Sequence, residues 1–290
     1  MVIPASERSV TDMTQERICF EPRTEGVRIV DVTASVLDFA GAGTITASGI
    51  SIRESSNLTL KNLTIDATNA GKSVIGIQAW SIPDLTVTGC NMTGVYIGVH
   101  HNNGEYLGPN DSLGTMTVKN CTIRNAIHEG LYIGQSGRCF DESTMPAFAM
   151  VRITNNTIRN SGWDCIQFSS NHAAEVIGNT CDGFGRTPQY GDPTRQTRGI
   201  NVQRRTAGAK CALVKGNTID ATKNGYDGVK VVNTACADIR DNLIIRAGNR
   251  GITVYSGGRA TVTGNVIKWP VKECWGGSGD IEASGNECLK

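Results

Sequence analysis

Five charged residues stand at one recurring position of this 290-residue chain: Glu129, Asp164, Arg198, Asp227 and Arg250. Each immediately precedes a small-apolar-x-apolar segment: GLYI (130–133), CIQF (165–168), GINV (199–202), GVKV (228–231) and GITV (251–254). Alternate residues of such a segment point inward, so the x position faces out. Down the chain, x reads Ser51, Gln78, Tyr96, Tyr132, Gln167, Asn201, Lys230 and Thr253. A charged column beside a Tyr-Gln-Asn-Lys column can do acid–base work or clamp an anion, whereas a solvated sheet face scatters Ser, Thr, Lys and Glu. The alternating signs from Asp164 to Arg250 also suit a ladder that neutralises itself. Glu129 and Asp164 are adjacent with no cation between them, a pairing that calls for a shared proton or a metal.

Binding groups gather around the same columns. Tyr96, His100, His128, Gln167, Asn201 and Gln203 supply the aromatic faces and hydrogen-bonding amides that suit sugars. The three longest excursions, 100–114, 134–148 and 182–198, belong to the coils from Tyr96 to Asn201 and are expected to wall a groove. The pair His100–His101 reads equally well as part of a solvated loop.

The elements that must position these residues are short strands in a repeating unit. Asn156, Asn179, Asn217, Asn242, Asn265 and Asn286 recur at one offset after a strand, with Leu63, Cys90 and Cys121 in the same slot of earlier copies. Asn tolerates left-handed backbone angles and suits a tight bend; stacked, its amide can hydrogen-bond the copies above and below. Two period-two phases per unit, variable loops and no helical periodicity predict an all-β solenoid, a parallel β-helix of nine to ten coils with an internal Asn ladder. The whole of 1–290 reads as one domain: an N-terminal cap over 1–26, coils over 27–267, and a C-terminal coil and cap over 268–290.

The Asn ladder, the G-I-x-V strands and the opening segment 28–65 resemble the right-handed parallel β-helices of the pectin-lyase-like superfamily. That resemblance implies the fold, and an enzyme acting on an acidic, uronate-containing polysaccharide by β-elimination, or the related C5 epimerisation. Cation-rich lyases of this type imply Lys230 as base, Arg198 or Arg250 as carboxylate clamp and Tyr132 as proton donor. They also imply Ca²⁺ held by Glu129 and Asp164. A glycoside hydrolase would instead use carboxylate pairs, Glu129 with Asp164 or Asp164 with Asp227, the latter about 9.6 Å apart by strand spacing. A non-catalytic glycan-binding or tail-fibre module is the third possibility.

Composition sets bounds. The chain carries +1 overall, but residues 186–259 hold nine Arg and four Lys against five Asp and no Glu, a net of +8 that suits an anionic polymer. No nucleic-acid module and no groove-reading helix is evident, and no apolar run is long enough to span a membrane. Ten cysteines point to an extracellular or periplasmic setting, although the N-terminus lacks a signal-peptide core. Cys90, Cys121, Cys165 and Cys181 fall in slots that suit buried thiols. Cys211 and Cys236 share a column within disulfide reach, and Cys274 with Cys288 could staple the last coil.

Overall fold

The computed structural model describes residues 3–4, 26–30, 32–70, 73–103, 112–134, 146–169, 171–185, 197–203, 209–221, 226–233, 235–255 and 257–290. Most of the expected cap over 1–26 and much of each long loop, with Tyr106 and Tyr190, lie outside the described residues. The described strands form three sheets of eleven, ten and ten strands, and each coil contributes one strand to each sheet. All pairings are parallel except Ile3–Pro4 with Gly26–Val30. The inward positions are the period-two apolar residues: Ile50, Ile77, Val99, Leu131, Ile166, Ile200, Val229 and Ile252 are fully buried in one column. The coils are therefore the right-handed parallel β-helix expected, and their in-register stacking repeats the same residue types at each level.

The ladder continues unbroken from Asn156 to Asn286. At its middle, Asn217 Nδ2 donates to Asn242 Oδ1 at 2.9 Å and to Val176 O at 2.9 Å. Its Oδ1 accepts from the backbone N–H and the Nδ2 of Asn179. Cys121 heads the ladder, its N–H donating to Asn156 Oδ1 at 2.9 Å, and the Cys90 N–H donates to Cys121 Sγ. The bend itself is made one residue earlier than expected. The left-handed angles belong to Asn155, Gly178, Gly216, Asp241, Gly264 and Gly285, and the ladder asparagines do not adopt them.

Three expectations are corrected. The fourth coil enters the first sheet through Val99–Asn102, with His100 beside Gln78 and Tyr132, so His100 and not Tyr96 occupies the outward column. His100 and His101 are buried on this strand and are not part of a solvated loop. Cys165 and Cys181 are bonded to each other. Bonds also join Cys211 to Cys236 and Cys274 to Cys288, while Cys90 and Cys121 are free and buried.

The Cys165–Cys181 bond follows from packing. Gly130, Gly199, Gly228 and Gly251 fill a slot where a Cβ would lie 2.3–2.6 Å from Ile158, Ile219, Ile244 or Ile267 of the same coil. Cys165 occupies that glycine slot, and Cys181 replaces the isoleucine facing it. The pair Cys274 and Cys288 repeats the exchange in the last coil. Each thiol pair thus fills the volume of a glycine and an isoleucine. Replacing Cys181→Ile alone should lower stability by about 3–6 kcal/mol, from overpacking against Cys165 and loss of the bond. Adding Cys165→Gly should recover about 1–3 kcal/mol by relieving the overpacking. Urea unfolding of the two variants checks both numbers.

Candidate functional site

An open cleft of about 570 Å³ lies on the outward side of the first sheet. Arg198–Val202, Asp227–Val231 and Arg250–Val254 run side by side there. The cleft is lined by Arg198, Asn201, Gln203, Lys230, Val232, Asn233 and Tyr255. Register places Asn201 beside Lys230 and Lys230 beside Thr253. Continuing two residues further outward along each strand gives Gln203, Val232 and Tyr255, which form the next row of the lining.

Lys230 is the group whose chemistry the cleft changes most. Burial pulls its ammonium down from 10.5 to about 8; Arg198 adds to the effect, and Asp227 and Asp164 oppose it. Its Nζ lies 5.4 Å from the centre of the Tyr255 ring, within cation–π range. The Tyr255 hydroxyl accepts from Arg250 at 3.1 Å, and Arg250 in turn donates to Glu273 at 2.7 Å. Arg250 therefore fixes Tyr255 and does not itself line the cleft.

The two aspartates support the cleft from below. Asp164 is buried; Oδ1 accepts from the Arg198 backbone N–H at 2.7 Å and Oδ2 from Asn201 Nδ2 at 2.7 Å. The Arg198 guanidinium is 3.7 Å from the same Oδ2. Burial pushes the Asp164 carboxyl above its usual range against the pull of Arg198, Asn201 and Lys230. Asp227 is fully buried, and its Oδ1 accepts from Asn249 and from Thr253, each at 2.8 Å. Asn201 Nδ2 also reaches Gln167 Oε1 at 3.2 Å. Two buried polar atoms of the cleft residues have no hydrogen-bond partner among the described residues: Arg198 Nε and Asn201 Oδ1.

The other expected site residues lie elsewhere. Tyr132 is three coils from Lys230 in the outward column, roughly 14 Å by strand spacing; its ring lies 5.0 Å from that of His100. Tyr96, His128 and Trp163 form a pile of rings on successive coils, with centroids 3.9 and 3.5 Å apart. His128 Nε2 meets the Tyr96 hydroxyl at 2.6 Å, and its Nδ1 is 4.0 Å from Glu129. Glu129 and Asp164 do not fit calcium. The Asp164 oxygens already accept hydrogen bonds beside a guanidinium, and among the described residues no three His, Cys, Asp or Glu side chains converge. Tyr255 and Asn233 escape a reading confined to one outward position per strand; extending the period-two alternation past each strand's end finds Tyr255.

The sequence matches the family described as the right-handed beta helix region over residues 76–287. The chain belongs to that family. No curated protein matches it by sequence. Solved structures similar to this β-helix include an alginate lyase from Paenibacillus sp. str. FPU-7, at 13% identity and a TM-score of 0.49, covering 90% of this chain and 92% of that one. The A-module of a mannuronan C-5 epimerase from Azotobacter vinelandii gives 13% identity and 0.48, covering 91% and 83%. A lacto-N-biosidase from Eubacterium ramulus gives 15% and 0.47, covering 85% of this β-helix and 51% of its own length. At such identities no residue role transfers, and the chemistry of this β-helix is argued from its own cleft.

Two buried histidines set a pH dependence of stability: His128 in the ring pile and His101 against Phe148. Burial holds His128 and His101 down at about 3, from 6.5. Each folded histidine stays neutral where the unfolded one charges, so stability is lost as pH falls below 6.5. At pH 5.5 the loss is about 1.4 kcal/mol per histidine. His128→Phe should flatten the decline in melting temperature between pH 7 and 5, while lowering stability at pH 7 through loss of the hydrogen bond between His128 and the Tyr96 hydroxyl. An unchanged slope in a scan of melting temperature against pH would sink this account.

Proposed function

We propose that this β-helix cleaves a uronate-containing polysaccharide by β-elimination at the Lys230 cleft. The observation that carries the proposal is the position of Lys230 between Arg198 and Tyr255, in surroundings that bring its ammonium to about 8. An amine of that kind is about one-fifth neutral at pH 7.4, against about 0.1% for an ordinary lysine, and can act as a general base. The Arg198 guanidinium meets the uronate carboxylate and stabilises the negative charge that develops as C5 loses its proton. Lys230 takes that proton, the C4–O4 bond breaks, a C4–C5 double bond forms, and the Tyr255 hydroxyl protonates the departing O4. Tyr255 replaces Tyr132 in this role because it lies on the neighbouring coil, within reach of a ring held over Lys230. No step is assigned to calcium.

The +8 segment 186–259 contains Arg198 and Lys230 and supports an anionic chain as substrate. Three disulfides suit an oxidising, extracellular or periplasmic setting. Epimerisation shares the first proton transfer and differs in returning a proton to C5. Hydrolysis is less well supported, because Asp164 and Asp227 are buried and engaged with the scaffold beneath the cleft.

Incubation with alginate, polygalacturonate, hyaluronan and heparin-like chains, with calcium or a chelator, should raise absorbance near 235 nm with at least one of them. The rate should climb with pH through about 8 as Lys230 loses its proton. Lys230→Ala should abolish the signal, and Tyr255→Phe should reduce kcat by about 10²–10⁴-fold. New reducing ends without absorbance would transfer the activity to Asp164 and Asp227.

A further inference from the structure

The amide of Asn201 has its orientation dictated from one side. Nδ2 donates to Asp164 Oδ2 at 2.7 Å and to Gln167 Oε1 at 3.2 Å, and the first of these is a carboxylate oxygen that the Arg198 guanidinium also approaches. A flipped amide would set Oδ1 against that carboxylate, so the flip is excluded on electrostatic grounds. Oδ1 is consequently the free end of the group. Asn201 is 1% exposed, lines the cleft beside Lys230, and its Oδ1 has no hydrogen-bond partner among the described residues. A buried acceptor without a donor is a costly arrangement that the fold alone does not require. Ser51 and Thr253 occupy the same outward column, so the strand accommodates smaller residues there.

We propose that Asn201 is a specificity-determining residue whose Oδ1 accepts a hydrogen bond from a free ring hydroxyl of the bound uronate. This rests on the assignment of the Lys230 cleft to uronates. In a chain linked through C1 and C4, the hydroxyls left to donate are those on C2 and C3. Arg198 Nε, the other unpartnered buried atom of the cleft, is a donor and suits the carboxylate on C5. The two atoms together form an acceptor and a donor matched to the hydroxyl and the acid of one sugar. Acylation of the hydroxyl removes its proton, leaves Oδ1 unpaired and adds bulk where Asn201 sits. The cleft therefore selects unsubstituted uronates against O-acylated ones, since sites built to bond a hydroxyl reject ligands that lack it far more strongly than sites that read shape alone.

The test uses Lys230→Ala full-length protein, which should not turn over substrate, and isothermal titration with two probes. One is a defined oligouronate from the polymer most active in the absorbance assay, or each polymer's oligouronate in turn if none is active. The other is the same oligouronate chemically O-acetylated on C2 and C3. The expected result is binding of the free oligouronate at least 30-fold tighter than the acetylated one, with the ratio falling below about threefold when Asn201→Ala is added. If that double variant fails to fold, Asn201→Ser on the Lys230→Ala background gives the same reading. Equal binding of both probes overturns the role of Asn201 and leaves the uronate cleft standing. A preference that survives removal of Asn201 overturns it as well. Binding of neither probe overturns the assignment of the cleft to uronates, and the role of Asn201 with it.

Discussion

Everything in this molecule depends on parallel strands stacked in register at about 4.8 Å. Each residue has as its nearest neighbours the residues at the same position one coil above and one coil below. Apolar columns become a continuous core, and a column of amides becomes the ladder from Asn156 to Asn286. For charged residues the same spacing is a constraint. Two opposite unit charges about 5 Å apart gain roughly 3 kcal/mol at an effective dielectric of 20, and two like charges lose as much. The column through Asp164, Arg198 and Asp227 satisfies this by alternation, and the hydrogen bonds to Asp164 and Asp227 hold both carboxylates against the scaffold.

Lys230 is the exception that alternation does not quieten. It faces outward three residues beyond the charged column, with Arg198 near it and Oδ1 of Asp227 and both oxygens of Asp164 already engaged. Burial and the Arg198 charge outweigh the attraction of Asp227 and Asp164, and the ammonium is weakened as a result. The same support that stabilises Arg198 and Asn201 therefore makes a base of their neighbour. Arg250 extends the arrangement by fixing the Tyr255 hydroxyl from the next coil. Arg198, Asn201 and Lys230 are positioned by the strands themselves, and Gln203, Val232, Asn233 and Tyr255 lie just past the strand ends.

The fold was legible because stacking writes itself into the sequence as repetition, and from Tyr132 onward the outward column read from G-x-x-x tetrads agrees with the observed register. It failed at one coil, where GVYI (94–97) and GVHH (98–101) carry the same pattern. Chain length decides between them. Only Gly94 and Val95 would separate Thr93 from a column residue at Tyr96, whereas Asn125–Leu131 and Asn160–Ile166 span the corresponding turn in the next two coils. The Cys165–Cys181 bond was hidden for a different reason. Each cysteine read alone suits a buried slot, and the pairing appears only when the glycine column and the isoleucine column are read together as one packing volume. Tyr255 was missed because a column has no position for a side chain just past the strand's end, and the unused Asn201 Oδ1 depends on side-chain geometry that no pattern encodes.

The most direct test of the central claim is the protonation of Lys230 itself. Competitive acylation across pH 6 to 11, with the modified lysines resolved by mass spectrometry, gives a titration curve for Lys230 and for exposed lysines such as Lys119 in the same sample. A midpoint near 8 for Lys230 is the predicted result. A midpoint near 10.5 would contradict the account, because the cleft would then hold an ordinary surface lysine and no base.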